Sequence, residues 1–510
     1  MPKNSKPSKQ APPAFSPPAR INSSIRGLDL VLGGGLLARR GYLIQGPPGS
    51  GKTVLASQYS FDVARTGGNC VFVTLLSESH ATLLENLRSF TYYDESLVQA
   101  HVTFISGYAA LMEHGLSGLA ELLQNHLREN RAELLVIDSI DAVVEHGNAQ
   151  HEVKRFLRDL ATFCSLLNCT AIFVSTAVDS ATLTAAESVT DGTLELARVR
   201  SELRNVRTLE VTKLRGSAVI EGRHVFEITP HGIAVHVRVE ARYMTTPDAT
   251  EPPSARIPFG VKKLDDMLRG GLVEGSSTAL MGAPGAGKTV LGMQFLHEGA
   301  RRGEASLYFG MFEPAPRFIA KAEGIGLALG RHVKSGTLEV IAQPSLEQSI
   351  DGLAEQLMES IARRQVKRLF IDGVDGFRAA TAFPDRLTRF FAALVRELRR
   401  LGVTTLLSEE IDLFAPRIEA SHRDISAIFD NVLLLRHVEL RSQLYRLFSI
   451  LKVRDSDYDS AMREFRITSK GLVLAESFDS AEAILSGYAR TVTEAPLDIS
   501  APPARGKRPR

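Results

Sequence analysis

The 510-residue chain holds only three cysteines, Cys70, Cys164 and Cys169, and they form no metal-type pattern with nearby histidines. Three thiols cannot build a disulfide framework, so the sequence fits a reducing compartment and the cysteines read as small buried hydrophobes. No run of about 18 apolar residues is present to cross a bilayer, and the first twenty residues lack the apolar stretch of a secretory signal. A cytoplasmic location with no membrane partner is therefore expected. Neither sign of charge is in excess, 60 Lys and Arg standing against 58 Asp and Glu, so composition speaks against a polycationic nucleic-acid binder. Local basic excess is confined to the ends: Lys3, Lys6, Lys9 and Arg20, then Arg505, Lys507, Arg508 and Arg510. Both tails are rich in Pro, Ser and Ala, have nothing to bury, and read as disordered.

What the chain does contain is one nucleotide-binding pattern, twice. Gly46-Pro-Pro-Gly49-Ser-Gly51-Lys52-Thr53 and Gly282-Ala-Pro-Gly285-Ala-Gly287-Lys288-Thr289 both match GxxxxGK[ST], their lysines 236 positions apart. Each is preceded by an apolar strand pattern (Tyr42 to Ile44; Thr278 to Met281) and followed by a helical one (Val54 to Ala64; Val290 to Ala300), the context this loop needs. Its glycines let consecutive N–H groups face phosphates, its lysine reaches the β/γ oxygens, and its threonine hydroxyl takes magnesium. ATP and Mg2+ are the expected ligands.

The repeat is longer than the loops. Gly27-Leu28-Asp29 and Leu32 to Leu36 return as Lys263-Leu264-Asp265 and Leu268 to Leu272; Leu134 to Asp138 returns as Leu369 to Asp372; Lys213-Leu-Arg215 returns as Lys452-Val-Arg454. A period this long implies a duplicated domain, since solenoid repeats are several-fold shorter. Within each copy, apolar runs alternate with amphipathic helices and then give way to short alternating strands. The expected class is α/β: two tandem P-loop domains, mainly parallel sheet with flanking helices and an antiparallel meander at the end of each. The predicted boundaries are a basic tail 1–20, a first domain 21–243, a Pro-rich linker 244–255, a second domain 256–476 and a terminal segment 477–510.

An aspartate ending a buried strand opposite the loop holds magnesium, which makes Asp138 and Asp372 the metal-binding candidates beside Thr53 and Thr289. Ser139 and Gly373 follow them where many ring ATPases carry a catalytic glutamate, so a base must come from elsewhere. The strand after the phosphate-loop helix, expected as a neighbour of the nucleotide, ends in Leu76-Ser77-Glu78 and Phe312-Glu313-Pro314. Alternation along a strand puts Lys213 with Arg215, and Lys452 with Arg454, on one face. A solvated basic edge that deters strand pairing would account for either pair alone; recurrence at the duplicated position favours a shared task.

These motifs, over most of residues 21 to 490, resemble the KaiC family of double-domain RecA-like ATPases. The resemblance implies two consecutive glutamates at the position of the base. The first copy keeps only the second, Glu78, and the second copy only the first, Glu313. Glu313 is then the competent base, while the first site, with Ser77, is expected to hydrolyse slowly. It also implies that Lys213, Arg215, Lys452 and Arg454 reach a neighbouring subunit's γ-phosphate in a ring of six, a homo-oligomer. A hydroxyl acceptor for autophosphorylation is implied at Ser426, in Asp424 to Asp430; Ala427 removes the second hydroxyl of the family's pair, and Ser421 is a nearby alternative. Ser477 to Gly487 resembles a segment near the ring's pore, and equally suits a terminal helix covering the core. The implied function is a cytoplasmic ATPase, with possible serine/threonine autokinase activity, in signalling or circadian-type regulation beside clock-type partner proteins. A RecA-like DNA-dependent ATPase is the alternative; it would need basic and aromatic pore loops, which the weakly charged body does not show. A nucleotide-switched scaffold is a third.

Overall fold

The computed structural model describes residues 18–75, 80–146, 150–176, 186–201, 204–243, 255–343, 348–411, 428–440, 443–469 and 471–475. They form two compact units, the first mainly of residues up to 243 and the second mainly of residues from 255. Each unit is a nine-stranded mixed sheet with helices against it. In the first, β1 (Gly41–Gln45), β2 (Cys70–Thr74), β3 (Val102–Ser106), β4 (Leu134–Asp138), β5 (Thr170–Ser175), β6 (Gly192–Ser201), β7 (Arg204–Leu214), β8 (His224–Thr229) and β9 (Gly232–His236) lie in the order β9-β8-β7-β6-β1-β5-β4-β2-β3. In the second, β10 (Ser277–Gly282), β11 (Ser306–Gly310), β12 (Leu338–Ala342), β13 (Arg368–Asp372), β14 (Thr404–Glu410), β15 (Asn431–Leu440), β16 (Gln443–Val453), β17 (Arg463–Thr468) and β18 (Gly471–Leu474) repeat that order as β18-β17-β16-β15-β10-β14-β13-β11-β12.

The five strands from β1 or β10 to β3 or β12, together with the first meander strand, pair in parallel, and the meander strands pair antiparallel among themselves. Every residue of β1, β2, β5, β10 and β11 is buried. A strand covered by helices on both faces has no polar side to alternate, which is why these segments read as unbroken apolar runs. All three cysteines are buried free thiols in these cores. Among the described residues no helix is long and apolar enough to cross a membrane.

Two differences from the sequence reading have clear causes. The alternating segments that read as the first meander are Arg207 to Leu214, His224 to Ile228 and Ile233 to Val237, and the first meander strand, β6, is missing from them because its outer half, Ala197 to Ser201, alternates with arginines and loses burial. Its copy β15 was legible, so the repeat itself pointed to β6. The apolar period reads as a helix over Gly118 to Arg128, whereas the helix begins at Tyr108 and runs to Glu129; Gly115, at φ 62° and ψ −158°, breaks the helical turn and with it the apolar period.

The two copies exchange volume in their cores. On the helix after the second phosphate loop, α2 (Lys288–Arg301, matching α1, Lys52–Arg65), a Cβ at Gly292 would lie 2.1 Å from the Phe370 ring. The corresponding first-unit residues, Ala56 and Val136, are both buried, one carbon larger on the helix and an aromatic ring smaller on the strand. Another conserved-by-duplication detail is the acid after the Leu of Gly-Leu-Asp and Lys-Leu-Asp. Asp29 accepts the Ser23 N–H at 2.9 Å, and Asp265 accepts the Phe259 and Gly260 N–H groups at 2.7 and 3.1 Å, so each pins the turn that starts its unit. Burial pushes the Asp265 carboxyl up to about 6 against those hydrogen bonds.

Gly292→Ala should destabilise the second unit by about 1–3 kcal/mol, because overpacking against Phe370 outweighs the roughly 1 kcal/mol gain in helix propensity; denaturant titration reads the difference. Asp265 binds its proton more tightly folded than unfolded, so its contribution to stability falls as pH rises from about 4 to about 6 and stays low above that. Melting curves should show wild type losing stability relative to Asp265→Asn across that window, and a pH-independent difference would contradict the buried carboxyl.

Candidate functional site

The phosphate loops leave the carboxyl ends of β1 and β10, the central strands of the sheets, and enter α1 and α2 directly. Close approach explains the first glycine: a Cβ at Gly46 would stand 2.0 Å from the Leu196 carbonyl oxygen, and one at Gly282 2.8 Å from that of Leu435. Gly49 and Gly51, like Gly285 and Gly287, take positive φ, which turns the backbone so that the free N–H groups of the helix start face the loop's interior. Lys52 Nζ donates to the Gly46 and Pro47 carbonyls at 2.7 and 3.0 Å. Lys288 Nζ does the same with Gly282 and Ala283 at 2.6 and 3.0 Å. Burial lowers both ammonium groups' affinity for their protons, opposed by Asp138 and Asp141 in the first loop and by Glu410, Asp372 and Asp375 in the second.

Both expected threonine–aspartate pairs are in contact. Thr53 Oγ1 donates to Asp138 at 2.6 Å, and Thr289 Oγ1 to Asp372 at 3.0 Å. A hydroxyl and one carboxylate are the sparse protein donor set that suits Mg2+, which keeps waters and phosphate oxygens as its other ligands. Around them lie residues that the sequence reading did not single out. Asp141 accepts Ser139 Oγ at 2.5 Å, Ser175 Oγ at 2.7 Å and the Thr176 N–H at 2.8 Å. Burial would raise its carboxyl, but these donors outweigh that and hold it below the ordinary range. In the second unit Asp375 instead accepts Arg378 Nη1 at 2.5 Å, while Arg378 Nη2 donates to buried Glu409 at 2.7 Å. Asp372 further accepts Ser408 Oγ at 2.7 Å, and burial pushes its carboxyl up. The signal for Asp141 and Asp375 was there: each stands three residues after its strand-end aspartate, in both copies.

The strand carrying the expected base is not beside the phosphate-loop strand. Two strands separate β2 from β1 and β11 from β10, because the chain crosses over and returns to fill the gap. Glu313 follows β11 and accepts Lys321 Nζ at 3.2 Å on both oxygens, with Arg317 3.8 Å away. Glu78 and Ser77 lie outside the described residues, as do Ser421, Ser426, Ala427 and the segment from Ser477.

The Lys-x-Arg pairs are not brought to the phosphate loops of their own units. Lys213 Nζ donates to the carbonyls of Glu187 and Thr190 at 2.5 and 2.6 Å, and Lys452 Nζ to that of Phe429 at 2.7 Å. The Arg215 N–H reaches the Asp191 carbonyl at 2.9 Å, and Arg454 Nη1 reaches Asp430 at 3.3 Å. Register puts them at the amino end of the central strand: Asp191 N–H bonds the Gly41 carbonyl, and Asp430 N–H that of Ser277. The loops start five residues further along, about 16 Å away at strand rise.

A family model described as ATPase: KaiC matches this chain twice, over residues 21–240 and 257–478. The circadian clock oscillator protein KaiC of a Picosynechococcus species is 29% identical over 480 residues, covering 92% of each chain. The proteins of the same name from Rippkaea orientalis and Synechococcus elongatus are 27% and 26% identical, each covering 93% of this chain and 92% of the relative. With both sheets in RecA-like strand order, a phosphate loop on each, and the family pattern over almost its whole length, the chain belongs to the KaiC ATPase family.

Proposed function

We propose that this protein hydrolyses ATP in a homo-oligomeric ring, six subunits by analogy with the family resemblance, whose nucleotide sites are completed across subunit boundaries. The observation that carries this is the roughly 16 Å along the central strand between each Lys-x-Arg pair and its own phosphate loop. Side chains of that length cannot span the gap, so a triphosphate they serve belongs to a neighbour. Gly46, Gly49, Gly51 and Lys52, with Gly282, Gly285, Gly287 and Lys288, cradle the phosphates. Thr53 with Asp138, and Thr289 with Asp372, hold Mg2+, which when bound offsets charge on the β/γ oxygens. Lys213, Arg215, Lys452 and Arg454 supply positive charge from the adjoining subunit where negative charge builds up.

Glu313 is the acid we assign to the proton of the attacking group in the second site, and Glu78 its weaker counterpart in the first, where Ser77 replaces the leading acid. Glu313 must first exchange Lys321 for that hydroxyl, which is feasible because the 3.2 Å ion pair has a half-exposed lysine and such pairs contribute little. Ser426 is the assigned acceptor for autophosphorylation. With Ala427 beside it, a single phosphate per subunit is available in place of an ordered two-step cycle. The relatives' names point to a timing or signalling output read by partner proteins.

Arg454→Ala should lower turnover of the second site on the order of a thousandfold, as loss of an arginine finger does, while an isolated subunit binds ATP as before. Equilibrium binding and phosphate release on the same preparation test this; lost binding in the isolated subunit would place the arginine in its own site instead. Glu313→Gln should reduce both phosphate release and the phosphate found on Ser426 by mass spectrometry about a hundredfold or more, and Glu78→Gln far less. Equal losses would remove the asymmetry between the sites.

A further inference from the structure

The two nucleotide sites differ at one position that the family reading leaves without a role. In the second unit β14 ends in Glu410, paired in register with Gly282, the first glycine of the phosphate loop. The Ile411 N–H bonds the Gly282 carbonyl at 3.3 Å, the same oxygen that receives Lys288 Nζ. In strand order β14 is next to β10, whereas β13 with Asp372 is one strand further and β11, leading to Glu313, further still. At a spacing of about 4.8 Å per strand, Glu410 is the acid that ends the strand next to the loop's own, while Asp372 reaches the loop through Thr289. It is exposed at the strand's tip, and Lys288 feels its attraction more than that of Asp372 or Asp375. The first unit has Thr176 here. β5 runs beside β1 with Gln45 opposite Ser175, and the next residue, Thr176, donates its N–H to Asp141 at 2.8 Å. One site thus carries a formal negative charge where the other has a neutral hydroxyl.

We propose that Glu410 is a specificity-determining residue of the second site, facing the terminal-phosphate end of the loop and shifting that site's preference from nucleoside triphosphate toward nucleoside diphosphate. The proposal rests on the nucleotide reading of the loops. Lys288 lies on the loop's carbonyls, and to serve a triphosphate it must turn to the β/γ oxygens. The Glu410 carboxylate at the tip of the adjacent strand then faces the γ-phosphate with like charge. A diphosphate places no charge at that end, so Glu410 costs it little. Two unit charges about 5 Å apart interact strongly enough, between the dielectric of water and that of a protein surface, to change a binding constant by between about fourfold and a few hundredfold. Magnesium held by Thr289 and Asp372 would offset part of that repulsion, which makes triphosphate retention in the second site more metal-dependent than in the first.

The test uses the full-length chain carrying Lys52→Ala, so that the second site dominates, and displaces a fluorescent nucleotide with ATP or ADP, with and without Mg2+. Glu410→Gln and Glu410→Thr should each raise the ATP-over-ADP preference at least about fivefold, more so in chelator, with melting curves confirming an intact fold. In the converse experiment, Lys288→Ala chains given Thr176→Glu should lose ATP preference at the first site. An unchanged ratio in the Glu410 variants, with nucleotide still bound, overturns the inference and leaves the nucleotide reading standing. If neither nucleotide binds the Lys52→Ala chain, or if binding survives the addition of Lys288→Ala, that reading is overturned too.

Discussion

Parallel pairing of the central strand on both sides is the constraint from which the rest follows. A strand hydrogen-bonded in parallel to two neighbours has to be reached by crossovers, so consecutive strands all leave the sheet at the same edge. Their carboxyl ends collect there: the phosphate loop from β10, Glu410 from β14, Asp372 from β13. The first meander strand, also parallel to β10, starts after Asp430 at the opposite edge, and the second, antiparallel to it, ends there with the Lys-x-Arg pair. One topological fact therefore separates the phosphate loops from the Lys-x-Arg pairs. In the ring proposed above, a neighbouring subunit closes that distance, each subunit both lending and receiving.

Duplication then allowed the two sites to drift under the same frame. The first surrounds its metal-side acids with hydroxyls, Ser139, Ser175 and Thr176 on Asp141. The second uses Arg378 between Asp375 and Glu409, and adds Glu410. Hydroxyls donate without changing net charge, whereas the arginine and the added glutamates put opposed formal charges around one loop. Field strength near the terminal phosphate is thus the property that distinguishes the copies, and it is a property with thermodynamic consequences for which nucleotide stays. The cores show the same freedom, Ala56 and Val136 in one copy standing where Gly292 and Phe370 stand in the other.

Much of this was legible from residue order. Loop glycines, the lysine and the threonine are local requirements, met within eight residues, and the apolar runs of doubly covered strands carry their own signal. Register and strand order are not local. β6 was hidden by its exposed, arginine-bearing half, and the helix at Tyr108 by one glycine. The strand ending near Glu313 read as a neighbour of the nucleotide because it follows the phosphate-loop helix in the chain; in space two strands were inserted between them. Asp141 and Asp375 recur at equal spacing and could have been read from the repeat, but nothing in a sequence shows that three hydroxyls converge on one of them.

By itself, then, the order of residues determined that a phosphate-cradling domain is present twice, which backbone positions must be glycine, and which strand-end acids face the threonines, because each depends on contacts within a short stretch or on a repeat. Only tertiary structure decided which acid stands beside the loop and which end of the central strand bears the cations. Those depend on the spatial order of strands, and crossovers rearrange that order without leaving a trace in the spacing along the chain.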